Sequence, residues 1–221
     1  MTATTSKAYK GMGMEGAVAR WYEKTTRKDM DGFRELAGRL RGEVQRGGDV
    51  LEVAPGPGFL AVELARGGQC RVTGLDISKT FVDLARKNAA AAGVSAEFQR
   101  GNAAHMPFPA DHFDLVVCRA AFKNFSEPEN ALREMHRVLR PGGTAVIIDL
   151  RRDAPMADIR RYVDHLELSL WSRWFTVWTF RFMLLKRAYT RAEMERLLAA
   201  AAITDHDVRM ADMGMEVRFG K

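Results

Sequence analysis

The stretch VLEVAPGPGFLAVELA, residues 50–65, decides the fold. A short apolar strand run (50–53) leads into the turn APGPG, and a helical segment begins at Phe59. Gly56 and Gly58 let the backbone pass close to a ligand and adopt angles that other residues avoid, so we expect both to face that ligand. The helix directs its positive dipole end and free N–H groups toward the same point. The stretch therefore predicts a strand–turn–helix unit that binds a ligand at the turn.

Strand and helix patterns alternate on both sides of this unit. Further strands are expected at residues 70–75, 96–99, 113–118 and 144–148. The intervening helices carry start and stop signals, which are a Ser78 cap, Gly93, a Ser126/Glu129 capping box and the break Pro141-Gly142-Gly143. Such alternation predicts an α/β fold with a doubly wound, mostly parallel sheet covered on both faces.

The C-terminal part predicts a different arrangement. Thr190 and Glu193 form another capping box and open a helix. The strand runs 205–210 and 216–219 are joined by a short turn, which cannot connect parallel strands. We therefore expect an antiparallel pair at this end of the sheet.

Two acids near the turn indicate which class of ligand binds there. Asp76 ends the second strand, where a carboxylate accepts both hydrogen bonds from a ribose diol, so a nucleoside-bearing ligand is indicated. Gly56-x-Gly58-x-x-Ala61 also matches a dinucleotide fingerprint, which would make the chain an NAD-dependent oxidoreductase. Glu52, however, is a poor neighbour for a pyrophosphate and suits an ammonium group such as that of S-adenosylmethionine.

Four segments resemble one family. Residues 52–58 resemble motif I of class I S-adenosylmethionine-dependent methyltransferases, and GLDIS (74–78) resembles the next motif. GNAAHMPFPADHFDLVVC (101–118) and RVLRPGGTAVIID (137–149) resemble the ubiquinone/menaquinone-methyltransferase-like branch, methyltransferase type 11. The resemblance implies a Rossmann-like fold, S-adenosyl-L-methionine as cofactor, and in-line methyl transfer to a small molecule, mainly by positioning.

The resemblance and the position of the sheet edge predict residues that bind the cofactor. They do not identify a clear general base. The cofactor-binding residues are Tyr22, Glu52, Ala54, Gly56, Gly58, Asp76, Ile77, Asn102, Ala103 and Arg119. The family usually has Gly at position 54, so the backbone of Ala54 should have an angle that an L-residue tolerates. Asn102 replaces the common Asp of the adenine loop, and Lys123-Asn124 replaces two histidines. Weak catalytic candidates are Lys123, Asn124 and Tyr189, and Lys123 is either solvated or in contact with an anionic substrate.

Charge and position divide the predicted single methyltransferase domain into four parts. These are an N-terminal helical lid (1–46), a cofactor-binding core (47–150), a helical substrate cap (151–190), and a closing helix and strands (191–221). The lid and residues 151–191 carry nine more basic than acidic side chains, and the rest carries three more acidic than basic, within a net charge of +6. We expect residues 9–22 and 155–187 to close over the cofactor, with Trp21 and Tyr22 in contact, around a small, partly apolar acceptor bearing a carboxylate or phosphate.

An aromatic stripe lies within residues 162–185. Trp171, Trp174 and Trp178 recur at helical spacing. Packing on the domain, lining of a pocket and a homodimer face are three interpretations, and a membrane-surface helix is a fourth. His105 and His165 are interpreted as surface or structural residues rather than catalytic ones.

Composition argues against a disulfide-rich, zinc-binding, secreted, membrane-spanning or nucleic-acid-binding protein. Cys70 and Cys118 alone make neither a disulfide framework nor a zinc site, which favours a reduced, cytoplasmic protein, and no metal site is expected. The N-terminus lacks a secretory pattern, and no apolar run is long enough for a membrane span. An RNA methyltransferase or nucleic-acid-binding module would use the basic flanks, but the charge excess is small and no aromatic-basic motif is present.

Overall fold

The structure is a computed structural model that describes residues 9–10, 13–164 and 185–221, except for the side chain of Tyr162. The helices in these ranges are α1 (Gly16–Thr26), α2 (Met30–Arg41), α3 (Phe59–Ala65), α4 (Lys79–Ala92), α5 (Pro128–Val138), α6 (Met156–Asp164) and α7 (Arg191–Ala200). The strands are β1 (Gly48–Val53), β2 (Cys70–Asp76), β3 (Ala96–Arg100), β4 (Phe113–Arg119), β5 (Leu139–Leu150), β6 (His206–Ala211) and β7 (Gly214–Gly220). Short 3-10 turns lie at Arg27–Asp29, Phe122–Asn124 and Leu185–Arg187.

The strands form one seven-stranded sheet in the order β3-β2-β1-β4-β5-β7-β6. β1 to β5 run parallel, whereas β7 pairs antiparallel with β5 and β6 pairs antiparallel with β7. The predicted doubly wound sheet and its closing antiparallel pair are confirmed. The strand order reverses between β1 and β4, and in such sheets ligands bind outside the carboxyl ends of the strands at that point.

Two apolar layers bury the sheet. The α2, α3 and α4 helices pack on one face in a cluster that includes Leu40, Leu60 and Val82, and α5 and α7 cover the other face around Leu132 and Leu198. Leu115 and Val116, adjacent in β4, point to opposite faces and are both buried. Strands buried on both sides read as continuous apolar runs, which is why the sequence pattern located them.

Most predicted helix ends are confirmed, and one is wrong. The Ser78 side chain accepts a hydrogen bond from the Phe81 N–H, Gly93 ends α4 in a left-handed conformation, and the Thr190/Glu193 capping box is complete. The Ser126/Glu129 box does not form, because α5 begins at Pro128. The Ser126 hydroxyl is buried without a hydrogen-bond partner among the described residues.

The segment Pro141-Gly142-Gly143 is not the break that the sequence suggested. Helix α5 ends before it, but β5 already starts at Leu139 and continues through it. Phe113 pairs with Leu139 and Leu115 with Thr144, so the two strands slip out of register between these pairs. Gly142 has φ +82°, which suits the irregularity. Proline and glycine therefore mark a bulge inside the strand.

Part of the predicted cap lies outside the described residues, namely His165 and the stripe of Trp171, Trp174 and Trp178. The interpretations of that stripe, including a homodimer face, remain predictions. Among the residues that are described, no helix is long and apolar enough to cross a membrane.

Candidate functional site

The candidate site lies at the carboxyl ends of β1, β2, β4 and β5. The first loop there, residues 54–58, uses its own N–H groups internally. Those of Ala54, Gly56 and Gly58 donate to the Leu75 carbonyl (2.8 Å), the Asp76 carboxylate (2.9 Å) and the Pro55 carbonyl (3.0 Å). The two remaining positions are prolines, which have no N–H. Residues 54–58 therefore have no free amide for a phosphate, whereas the N–H groups expected from the sequence are those at the start of α3, where the Ala61 N–H donates to Glu52.

The backbone of this loop is left-handed at three positions. Ala54, Gly56 and Gly58 have φ of 55°, 56° and 78°. Only glycine adopts this region readily, and an L-residue there is uncommon. The angle of Ala54 falls in the small left-handed region that is allowed to L-residues, as expected, although Ala54 keeps the conformation that favours glycine.

Gly56 and Gly58 have different surroundings. A Cβ on Gly56 would lie 3.8 Å from the Tyr22 ring, in ordinary contact. A Cβ on Gly58 would lie 2.7 Å from the Ala85 Cβ of α4. The space that the missing side chain of Gly58 leaves is filled by α4, and contact of its backbone with the ligand stays a prediction.

Glu52, on β1, is a buried acid with one free oxygen. It is 3% exposed, and its Oε2 has no hydrogen-bond partner among the described residues. Burial raises the pKa of Glu52 to about 8, while the Ala61 N–H and Arg119 oppose the rise and Asp76 adds to it. The carboxyl group of Glu52 is therefore neutral at neutral pH. A cation bound beside it would lower its pKa and favour the ionised form.

Asp76, at the end of β2, is the second buried acid. Its two oxygens accept the N–H groups of Gly56 (2.9 Å) and Ser78 (2.8 Å). Burial raises the pKa of Asp76 to about 6, although these backbone donors lower it. Each oxygen keeps a second lone pair, so the carboxyl group can still accept from a ligand's hydroxyl groups.

The segment before α1 and α1 itself cover these acids. Glu15 accepts the N–H groups of Lys79 (2.9 Å) and Thr80 (3.0 Å) at the start of α4, and Ser78 donates to the Met14 carbonyl (2.7 Å). Tyr22 packs its ring edge-on against Phe81 and lies beside Gly56, on the side where a Cβ would point. Trp21, by contrast, is 66% exposed, so its expected contact with the cofactor is wrong. Sequence patterns gave no signal for Glu15.

Two cations, one at the end of β4 and one in the loop that follows, are held by acids. The Arg119 guanidinium pairs with Asp29 (2.7 Å) and stacks 4.2 Å from the centre of the Phe33 ring. The Lys123 ammonium is buried and bonded to Asp149 (2.6 Å) and to the Ala120 carbonyl (2.6 Å). Neither alternative foreseen for Lys123, solvation or a free cation facing substrate, is what the structure has. Asp149 was missed, although an acid ending a buried strand is the same signal that identified Asp76.

Lys10 links Asn124 and Tyr189, two of the residues suggested as catalytic candidates. The Lys10 N–H donates to the Asn124 carbonyl (2.8 Å), and the Lys10 ammonium donates to the Tyr189 hydroxyl (3.0 Å). The Asn124 side-chain amide has no hydrogen bond among the described residues. The structure thus brings Asn124 and Tyr189 together through Lys10, which the sequence did not suggest.

The expected adenine side follows β2 and β3. Ile77 is half-buried next to Asp76, and its carbonyl accepts from Arg100 (3.0 Å). The Asn102 side-chain oxygen accepts the Ala104 N–H (3.0 Å), which shapes the turn, and Ala103 packs on the core. His105 is exposed, in agreement with its interpretation as a surface residue.

Part of the chain is similar in sequence to known proteins. The family model described as a methyltransferase domain matches residues 51–147. A demethylmenaquinone methyltransferase of Deinococcus radiodurans is 42% identical over 101 residues, which are 45% of this chain and 42% of the relative. A 2-phytyl-1,4-naphtoquinone methyltransferase of Synechococcus elongatus is 34% identical over 129 residues, 57% of this chain and 54% of the relative. The chain spans about half the length of the curated relatives that it matches.

The fold is shared more widely. A solved structure from Methanococcus maripaludis superposes with a TM-score of 0.73 at 19% identity, covering 100% of this chain and 97% of the other. This likeness concerns the fold alone, whereas the sequence matches fall on the strands and loops that build the site. Residues 51–147 therefore match a methyltransferase domain and are similar to class I S-adenosylmethionine-dependent methyltransferases of the ubiquinone/menaquinone-methyltransferase-like branch.

Proposed function

We propose that the protein is an S-adenosylmethionine-dependent methyltransferase acting on a small molecule. The observation that carries this proposal is the pair of buried acids Glu52 and Asp76, placed on either side of a loop with no free N–H group. S-adenosylmethionine has an ammonium group and a ribose diol but no phosphate. The site therefore fits this cofactor by charge and by hydrogen-bonding capacity.

The same observation argues against the two other function classes. A dinucleotide needs amide donors for its pyrophosphate, and residues 54–58 use theirs internally while Glu52 lies behind them. A nucleic-acid interface would draw on the basic flanks, where pairing of Arg27, Arg151 and Arg152 with carboxylates interrupts a continuous basic track. Neither class is favoured.

The chain's residues have distinct roles in the proposal. Asp76 accepts the ribose hydroxyls, and Glu52 pairs with the ammonium group. Ile77, Asn102 and Ala103 border the adenine, while Tyr22 closes the site above Gly56. When bound, the cofactor supplies an electrophilic methyl group on sulfur.

The rest of the work is positioning. Asn124 and Tyr189 would orient the acceptor for in-line attack, and the cover formed by α1 would exclude water. Lys123 is tied to Asp149 and has no free role as a base. Its part is to hold the loop after β4, which also carries Asn124.

The acceptor is proposed from the relatives. By name, those described above act on demethylmenaquinone and 2-phytyl-1,4-naphtoquinone. A quinone-like acceptor with an apolar part suits the half-buried ring of Tyr189, which packs against the buried Phe122 with ring centres 5.8 Å apart. Lys10 beside Tyr189 and the exposed Arg187 would favour an acidic group on it. A cytoplasmic site of action belongs to the same proposal, supported by the unpaired Cys70 and Cys118.

The lid is part of the proposal as well. The hydrogen bonds of Met14 and Glu15 to residues 78–80 close one rim, and those of Lys10 close the other. The cofactor would enter when these contacts open. Hydrogen exchange on residues 9–22, with and without S-adenosylhomocysteine, tests this, and no added protection would contradict a cofactor-coupled lid.

One set of measurements tests the function. We expect S-adenosylhomocysteine to raise the melting temperature of the protein, while NAD and a single-stranded RNA leave it unchanged. Labelled S-adenosylmethionine should then pass its methyl group to a reduced naphthoquinone. Asp49→Asn serves as a control, because Asp49 is a buried acid at the opposite end of β1 that pairs with Arg71 and Arg140. A melting-temperature shift with NAD alone would contradict the proposal. Loss of the S-adenosylhomocysteine shift in Asp49→Asn would contradict it as well.

A further inference from the structure

Helix α1 has two dissimilar faces. Its inner side carries Ala19, which is fully buried, and Tyr22, which lies beside Gly56 in the cleft. Its outer side carries an exposed row along the axis, continued by the turn that follows, and this row is called the outer stripe. The stripe consists of Arg20, Trp21, Lys24 and Lys28.

Trp21 is unusual for its exposure. At 66% exposed, it is the only large apolar side chain that stands out into solvent among residues 9–10, 13–164 and 185–221. No described neighbour covers the indole ring. A large aromatic side chain at the surface, ringed by polar groups, marks an interaction site.

The cations around Trp21 are uncompensated. The side chains of Arg20, Lys24 and Lys28 make no hydrogen bond or ion pair within the described part of the chain. Their neighbours Arg27 and Arg34 do, with Glu23 (2.7 Å) and Asp31 (2.6 Å). The stripe therefore presents positive charge beside an indole ring, whereas adjacent surface is neutralised.

This combination matches the chemistry of a lipid headgroup layer. Indole rings prefer the membrane–water boundary, and clustered Lys and Arg are attracted to anionic lipids. A nucleic acid would need a longer basic track, and the ion pairs next to the stripe interrupt one. We propose that the outer stripe of α1 binds the surface of an anionic lipid bilayer.

Docking through this face has a geometric consequence. The inner face of the same helix closes the cleft at Tyr22, and an α-helix with its side chains is about 10 Å thick. The bilayer surface would thus lie one helix away from the cleft. An acceptor with an apolar part would then reach the site from the bilayer when α1 lifts. Lipid binding itself needs neither cofactor nor methyl transfer, so its failure would leave the proposed function intact.

Vesicle sedimentation tests the inference with the full chain. The probes are vesicles of phosphatidylcholine alone and of phosphatidylcholine with phosphatidylglycerol in equal parts. We compare wild type with Trp21→Ala and with the double variant Arg20→Gln/Lys24→Gln. The control is Arg46→Gln/Arg196→Gln, which removes two exposed cations, one at the amino end of β1 and one on α7. All altered side chains are exposed, so the melting temperatures should stay unchanged.

The expected result is binding to the anionic vesicles only, weakened by salt. Each cation removed from the stripe should reduce the partition coefficient about fivefold, the equivalent of about 1 kcal/mol per cation near the surface. Trp21→Ala should reduce it as well, and the control should bind like wild type. The inference is overturned if wild type ignores anionic vesicles, if the stripe variants bind as wild type does, or if the control loses as much. It is also overturned if the stripe captures single-stranded RNA and no vesicles.

Discussion

Replacement of Glu52 by Gln should make the protein more stable at neutral pH and a poorer binder of its cofactor. The pKa of Glu52 is about 8 in the folded protein against 4.5 for the free side chain. The folded state therefore holds a proton that the unfolded chain releases. Stability is then lost as pH rises from the unfolded to the folded pKa, at about 1.4 kcal/mol per pH unit.

The magnitude follows from the burial of this side chain. At pH 7 the burial of Glu52 costs about 3 kcal/mol relative to a group that does not titrate. Gln keeps an oxygen for the Ala61 N–H and places its NH₂ where the protonated acid has an unpaired O–H. The amide of Gln and the protonated carboxyl group of Glu52 lose similar hydrogen bonds with water on burial. We therefore expect Glu52→Gln to raise the free energy of unfolding by most of that amount at pH 7 and by almost nothing near pH 5.

Two measurements check this. Urea unfolding of both proteins from about pH 5 to about pH 8 should show a stability difference that grows by about 3 kcal/mol. Calorimetry in buffers of different ionisation enthalpy should show wild type releasing a proton when S-adenosylhomocysteine binds, and the variant releasing none while binding at least tenfold more weakly. Other titrating groups are common to both proteins and cancel in the comparison. A stability difference independent of pH would mean that Glu52 is ionised in the folded protein, and the reasoning would fail.

Four further outcomes are expected. Asp76→Ala should lower the affinity for S-adenosylhomocysteine at least tenfold by calorimetry, through loss of charged hydrogen bonds of about 1.5–3 kcal/mol each, and unchanged affinity would remove Asp76 from the site. Gly58→Val should lower the melting temperature sharply because its Cβ meets Ala85 at 2.7 Å, and the added change Ala85→Gly should restore part of the loss. Ala54→Gly should stabilise the fold by about 0.5–1 kcal/mol in urea unfolding, since relief of the left-handed Ala outweighs the added chain entropy. Lys123→Met should destabilise by about 3 kcal/mol, because Asp149 is left buried and unpaired, and Lys123→Met/Asp149→Asn should recover part of that; equal stability of Lys123→Met and wild type would show that the ion pair is unimportant.

The sequence predicted much of the architecture because its signals are local. A buried parallel strand reads as a short apolar run, and a helix start reads as a capping residue at fixed spacing, as at Ser78 and Thr190. The same locality identified Glu52 and Asp76, since each stands at or near the carboxyl end of its strand. Failures occurred where a signal fits two local structures, as with the Ser126 box and the glycines of the β5 bulge.

The tertiary structure alone decided which groups face each other. Asp149 lies 26 residues from Lys123 and Glu15 lies 65 from Thr80, and the sheet order and the path of the N-terminal segment bring them together. The direction of the Gly58 Cβ depends on α4 in the same way. The raised pKa values of Glu52 and Asp76 are tertiary as well, since burial by surrounding elements causes them. Strand and turn preferences act over a few neighbouring residues, whereas burial and ion pairing depend on segments that meet only when the chain has folded.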